Sequence, residues 1–117
     1  MVSVCFYFQV HQPFRLSRYQ VFDIGSKRNY FDQEKNSQIL HKVANKCYLP
    51  ANKLMLELLN KHPGFKISYS FSGVFLEQCE LYFPEVLESF KKLVATGQVE
   101  VLAETYYHSL AFLYSEK

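Results

Sequence analysis

The 117-residue sequence has no tryptophan, only four glycines, four prolines and three cysteines, and a formal net charge of just +2. Each shortage excludes something. The small net charge, with no dense Lys/Arg stripe, argues against nucleic acid as a partner. Cys5, Cys47 and Cys79 are odd in number, far apart and never in a CxxC pair. This excludes a disulfide framework and points to a reducing compartment with buried thiols. No glycine-rich phosphate loop follows any candidate strand: neither GxGxxG nor GxxxxGK[ST] occurs. GxSxG and HExxH are missing as well. The opening "MVSVCFYFQV" carries no basic leader and no small-residue cleavage site. Its apolar run is about ten residues, too short to cross a bilayer. No membrane partner is expected, and the cytoplasm is the default location.

What is present is a globular composition. Hydrophobic residues make up 49% and charged residues 21%, enough apolar material for a real core in a single domain spanning residues 1–117. Nine tyrosines and eleven phenylalanines raise the aromatic share to 17%. Such a content suits either a crowded core or an aromatic-lined cleft, the core being the more ordinary use.

Periodicity orders the chain. Residues 2–10 are apolar on both alternating sets until Gln9 and His11, as expected of a strand covered on both faces in a parallel sheet. Residues 12–36 have no period but hold Pro13, Gly25, Arg15, Arg18, Arg28 and five aromatics. A loop this long is usually functional. Residues 37–61 carry a helical repeat through Leu40, Ala44, Cys47, Ala51, Leu54, Met55 and Leu58. Ser37 is placed to cap it, Pro50 to kink or divide it, and His62-Pro63-Gly64 to stop it. "FKISYSF", Phe65 to Phe71, alternates with period two, and its serine face suits a crowded side such as a barrel interior. Ser72 to Gln98 is helical, divided at Pro84 and closed by Gly97 as a C′ residue. Val99 to Glu104 reads as a third strand, and "TYYHSLAFLY" as the start of another helix. The series βαβαβ implies an α/β fold with parallel strands and right-handed crossovers.

Sites in such folds form at the C-terminal ends of strands. Those ends are Gln9 to Pro13, Ser70 to Gly73 and Glu104 to His108. Two of the four histidines, His11 and His108, therefore sit at strand exits, whereas His41 and His62 read as surface residues of a helix. Pro13 restricts Gln12 to an extended conformation and orients the two polar side chains before it. Glu100 and Glu104 read either as solvated edge charges or as members of the site. Glu77 and Glu80 read as helix-start carboxylates that favour the dipole. His11 and His108 with one carboxylate would also suffice for a metal.

Three stretches carry a resemblance: His11-Gln12-Pro13 after the first strand, "SYSFSGVFLEQ" from Ser68 to Gln78, and "GQVEVLAETYYHSLA" from Gly97 to Ala111. Together, at this spacing, they resemble family 57 glycoside hydrolases, the group of heat-stable α-amylases and 4-α-glucanotransferases. The resemblance implies a distorted (β/α)7 barrel that acts on α-glucans with retention of configuration and needs no cofactor. This chain would be its first part. The nucleophilic Glu and the acid/base Asp would lie on later strands, beyond residue 117. Residues of this chain would then bind the α-glucan or oligosaccharide: His11 near the sugar at the cleavage point, with Gln12, Glu104, Tyr107 and His108. Where the glucanotransferases carry a glutamate in the second stretch, this chain has His108, like the α-amylase branch. Retaining hydrolysis needs two carboxyls roughly 5–5.5 Å apart. Glu100 and Glu104, four residues apart on a strand, are about 13 Å apart and cannot be that pair. The sequence alone also leaves open a metal-dependent barrel, such as a polysaccharide deacetylase or α-mannosidase. Those use an Asp directly after the first strand, where this chain has Gln9 and His11. A non-catalytic carbohydrate-binding remnant is the other alternative.

Overall fold

A computed structural model describes residues 1–27 and 29–114, so Arg28 and the last three residues lie outside the description. Three parallel strands form one sheet: β1, Tyr7–Val10; β2, Ile67–Phe71; and β3, Val99–Leu102, in the order β1-β2-β3. Tyr7 pairs with Ser68 and Val10 with Phe71; Ile67 pairs with Val99 and Ser70 with Leu102. Between β1 and β2 run α1, Gln33–Val43, and α2, Leu49–Lys61; between β2 and β3 run α3, Gly73–Tyr82, and α4, Pro84–Ala95. The expected βαβαβ order is therefore present. Both crossovers step along the sheet in the same direction, which stacks the helices on one face.

The packing follows from this. Phe90 of α4 meets Tyr69 and Phe71 of β2 edge-on, with ring centroids 5.7 and 4.9 Å apart. Phe75 of α3 lies 6.0 Å from Phe90 and 5.3 Å from Tyr48. Leu40, Ala44, Leu59, Ile67, Cys79, Val86 and Leu93 complete the core. Most of the aromatic surplus at the centre is thus packing, worth roughly 1.5–3 kcal/mol per fully buried apolar side chain.

Several expectations change. The first strand covers Tyr7–Val10 rather than residues 2–10, because β2 begins only after the turn at Pro63-Gly64 and its pairing with β1 begins only at the Phe6 carbonyl. Nor are both its faces covered: Tyr7 and Cys5 are exposed on the side without helices. The third strand ends at Leu102, leaving Glu104 beyond it. Helix α1 starts earlier than Ser37, since the Asp32 carboxylate accepts from the Lys35 N–H at 3.0 Å and caps it. Pro50 divides the repeat as expected, the second helix beginning at Leu49. The proline's missing N–H falls after a wide π-helical turn, Ala44–Tyr48, that separates α1 from α2. Gly97 follows α4 with φ +74°, as a C′ residue should. The segment from Thr105 forms only a short 3₁₀ turn at Ala111–Leu113 instead of a helix. Of the thiols only Cys79 is buried, which pushes its pKa up to about 12; Cys5 and Cys47 are exposed. His41 is half-buried against Phe83, with ring centroids 4.5 Å apart, and is not a surface residue.

The aperiodic stretch after β1 is an irregular hairpin. Leu16 bridges Phe31 in antiparallel fashion, and Ser17 N–H donates to Tyr30 O at 2.9 Å. Asn36, fully buried, clamps one arm by accepting from Arg15 N–H at 2.9 Å and donating to Arg15 O at 3.3 Å. No helix among the described residues is long and apolar enough to cross a membrane.

Candidate functional site

The side of the sheet away from the helices is mostly polar, Leu102 of β3 apart, and strand alternation sets this. Tyr7, Gln9 and then His11 share that face in β1 and its extension. Ser68, Ser70 and Ser72 share it in β2, and Glu100 and then Glu104 in β3. The small serine side chains leave room for longer neighbours. Tyr7 Oη and Ser70 Oγ are 2.7 Å apart, and Ser68 Oγ donates to Glu100 at 3.4 Å.

At the C-terminal rim these contacts become a connected cluster. Glu104 Oε1 accepts from Gln9 Nε2 at 2.9 Å, and His108 Nδ1 lies 2.7 Å from the same oxygen. The Glu104 side chain is 9% exposed and that of His108 34%. Burial pushes the Glu104 carboxyl up, but hydrogen bonding from Gln9, the nearby Ser70 hydroxyl and His108, together with the His108 charge, outweighs this and holds it below the usual carboxylate range. An ionised Glu104 assigns the Nδ1 proton to His108. The 2.8 Å approach of Gln9 Nε2 to Nδ1 is then a contact between two donors that share one acceptor. His11 Nδ1 lies 2.7 Å from Ser72 Oγ, and its ring centroid is 5.1 Å from that of His108. Burial, then the His108 charge, lowers the His11 pKa, with Glu104 opposing weakly. His11 is therefore neutral at pH 7. Both imidazoles turn Nδ1 inward to a protein partner, which leaves Nε2 as the ring atom available to a ligand at the rim.

His108 reaches Glu104 through a left-handed backbone, φ +60°, the only positive φ at a non-glycine among the described residues. Such a conformation costs on the order of 1–3 kcal/mol and persists only where the surroundings impose it.

Three of the five residues expected in the site, His11, Glu104 and His108, come together here. Gln12 does not join them. Its Nε2 donates to Tyr48 Oη at 3.1 Å and its Oε1 accepts from Arg15 at 3.3 Å, so the side chain is used beneath the rim. Tyr107 is 71% exposed and its ring stands 4.8 Å from that of Tyr106, away from the cluster's hydrogen bonds. Gln9, Ser70 and Ser72 belong to the cluster although none stood among the expected binders; their shared parity with His11 was the available signal. Gln78, fully buried on α3, was also missed. Its Nε2 donates to Gln12 O at 2.6 Å and fixes the chain just after His11. Glu77 and Glu80 are not helix-start carboxylates, because α3 begins at Gly73 and its first turn holds no acid. Glu77 instead accepts the Tyr106 hydroxyl at 2.5 Å, which pushes that phenol up to about 12. Among the described residues no group of three or more His, Cys, Asp or Glu stands together as a metal site.

A cluster of this kind can offer fixed donors and acceptors to a polar ligand; among the described residues it contains no second carboxylate beside Glu104. Residues 5–117 match the sequence profile described as glycosyl hydrolase family 57. A Methanocaldococcus jannaschii protein provisionally named an alpha-amylase is 46% identical over 113 residues, 95% of this chain and 24% of that protein. The Pyrococcus horikoshii alpha-amylase is 31% identical over 68 residues, 58% of this chain and 11% of the enzyme. The Thermococcus litoralis 4-alpha-glucanotransferase is 29% identical over 69 residues, 59% and 10% respectively. The chain thus spans about a quarter or less of the length of these relatives. No solved structure matches it significantly.

Proposed function

The chain belongs to glycosyl hydrolase family 57, and from that premise we propose that its rim binds an α-glucan in a retaining hydrolase or glucanotransferase site. The observation that carries this reading is the convergence of His11 from the end of β1 with Glu104 and His108 from beyond the end of β3, the two rings 5.1 Å apart. Sugars present hydroxyls that both donate and accept. A neutral His11 accepts or donates through Nε2. His108, its Nδ1 held by Glu104, presents Nε2 to a sugar hydroxyl. Tyr107 offers an exposed ring face on which a pyranose can pack. Gln12 contributes by holding the loop after His11 in place.

The bond-breaking pair comes from elsewhere in this reading. A retaining site needs two carboxyls roughly 5–5.5 Å apart. Glu104 Oε1 is already committed to Gln9 and His108, and Glu77 to Tyr106. In this reading residues 1–117 position substrate, and the nucleophile and acid/base belong to other strands of the enzyme. The names of the relatives, alpha-amylase and 4-alpha-glucanotransferase, support the substrate class.

The test is titration of the chain with maltoheptaose, followed by the imidazole signals of His11 and His108 in NMR. Both signals should move, and His11→Ala should weaken binding. Signals that stay fixed at millimolar sugar would defeat the binding reading. Glucan hydrolysis by the chain alone, abolished by a substitution within it, would defeat the assignment of the catalytic pair to other strands.

A further inference from the structure

We propose that Tyr106 is a positioning residue for this site: docked on Gly73, it imposes the left-handed turn that swings His108 back onto Glu104 and Gln9. The proposal rests on the glucan-binding reading of the rim for its functional consequence, though its structural part stands without it.

Three contacts converge on this one residue. The Tyr106 ring lies over Gly73 so closely that a Cβ on residue 73 would overlap its Cγ, Cδ2 and Cε2 atoms. They run from the base of the ring along one edge, so relieving the overlap would take the whole ring off residue 73. Gly73 has no positive φ, so its backbone does not call for glycine, and the space taken by Tyr106 does. The Tyr106 carbonyl accepts the Val74 N–H at 3.0 Å and so occupies a donor at the start of α3. The Tyr106 hydroxyl donates to Glu77 Oε2 one turn further along the helix, at 2.5 Å. A ring, a carbonyl and a hydroxyl thus fix a residue that is itself 47% exposed, which burial alone would not hold.

The consequence falls two residues later. Thr105 O accepts the His108 N–H at 3.2 Å, closing a turn, and His108 takes φ +60°. With Tyr106 fixed on α3 and Glu104 fixed at the sheet, the chain between them must double back. The left-handed conformation at His108 is what puts Nδ1 2.7 Å from Glu104. Without Tyr106 on Gly73, the Thr105 turn and the Glu104 contact alone would have to hold the strained residue in that conformation.

The experiment uses the chain labelled with 15N-histidine, alone and with maltoheptaose, as the wild type and with Gly73→Ala, Tyr106→Phe and Glu77→Gln. Gly73→Ala should move the His108 Nδ1 signal toward that of an unbonded imidazole and weaken maltoheptaose binding about tenfold or more. Tyr106→Phe and Glu77→Gln keep the ring on Gly73 and should shift the same signal less. A purely structural Tyr106 would lower the melting temperature while leaving the His108 signal in place, and that result would overturn the proposal. If Gly73→Ala does not fold, unchanged His108 signals in both other variants would overturn it equally. Displacement of His108 in a protein whose wild type does not bind maltoheptaose would support the latch and refute the glucan reading.

Discussion

Glu104→Gln removes one charge from the rim and almost no volume, so it isolates what the carboxylate does. Oε1 accepts from Gln9 at 2.9 Å and from His108 at 2.7 Å. A hydrogen bond to a charged acceptor contributes about 1.5–3 kcal/mol net and a neutral one about 0.5–1.5, so the exchange loses roughly 1–1.5 kcal/mol per bond. The His108 side chain is 34% exposed, which screens its share. The net penalty works out at about 1–2 kcal/mol at pH 7, against a total on the order of 6–18 kcal/mol for a chain of this length. The pH dependence gives a second check. Glu104 titrates below its ordinary 4.5 in the folded chain, so its stabilisation is complete above about 4.5 and is lost as pH falls through the depressed folded value. Urea unfolding of both proteins at pH 7, 5 and 3.5 should show a gap that is widest at pH 7 and narrows at pH 3.5. A gap of zero at pH 7, or one that does not change with pH, would refute the ionised, hydrogen-bonded Glu104 on which the site rests.

Two further outcomes are expected. Phe75, fully buried between Tyr48, Phe71 and Phe90, should cost about 3–5 kcal/mol on truncation to Ala; a loss under about 1 kcal/mol in urea unfolding would show that helix α3 is not packed as described. His11 has a folded pKa below its ordinary 6.5, so the unfolded chain takes up its proton first as pH drops. Stability should fall below about pH 6.5, and His11→Gln should flatten that slope. An equally steep slope in the variant would assign the effect to other groups.

Much of the fold was legible because it rests on local rules. The period of two in Ile67–Phe71, the helical repeat ahead of Pro50, the stops at Pro63-Gly64 and Gly97, and the alternation of strands with helices all survive in the structure. Strand lengths were less legible, since a strand ends where its partner ends: residues 2–5 have strand composition, but the pairing with β2 begins only at the Phe6 carbonyl, which accepts from Ser68 N–H. The helix start differs from Ser37 because the chain is held further upstream, where Asn36 clamps Arg15 and Asp32 caps the first turn.

For the site, the sequence by itself determined the chemistry at each strand exit: a histidine after the first strand, serines after the second, and a glutamate and a histidine after the third. Alternation along each strand then forces these onto one face. Only the tertiary structure decided which of them meet. Crossovers in one direction leave that face bare of helices, register sets Gln9 beside Glu104, and a left-handed turn held from helix α3 returns His108 to the rim. Gln12 shows the opposite outcome, a residue of the right type at the right place whose side chain is drawn down to Tyr48. Contacts across 61 to 99 residues of sequence depend on the path of the backbone through space, and no local pattern encodes that path.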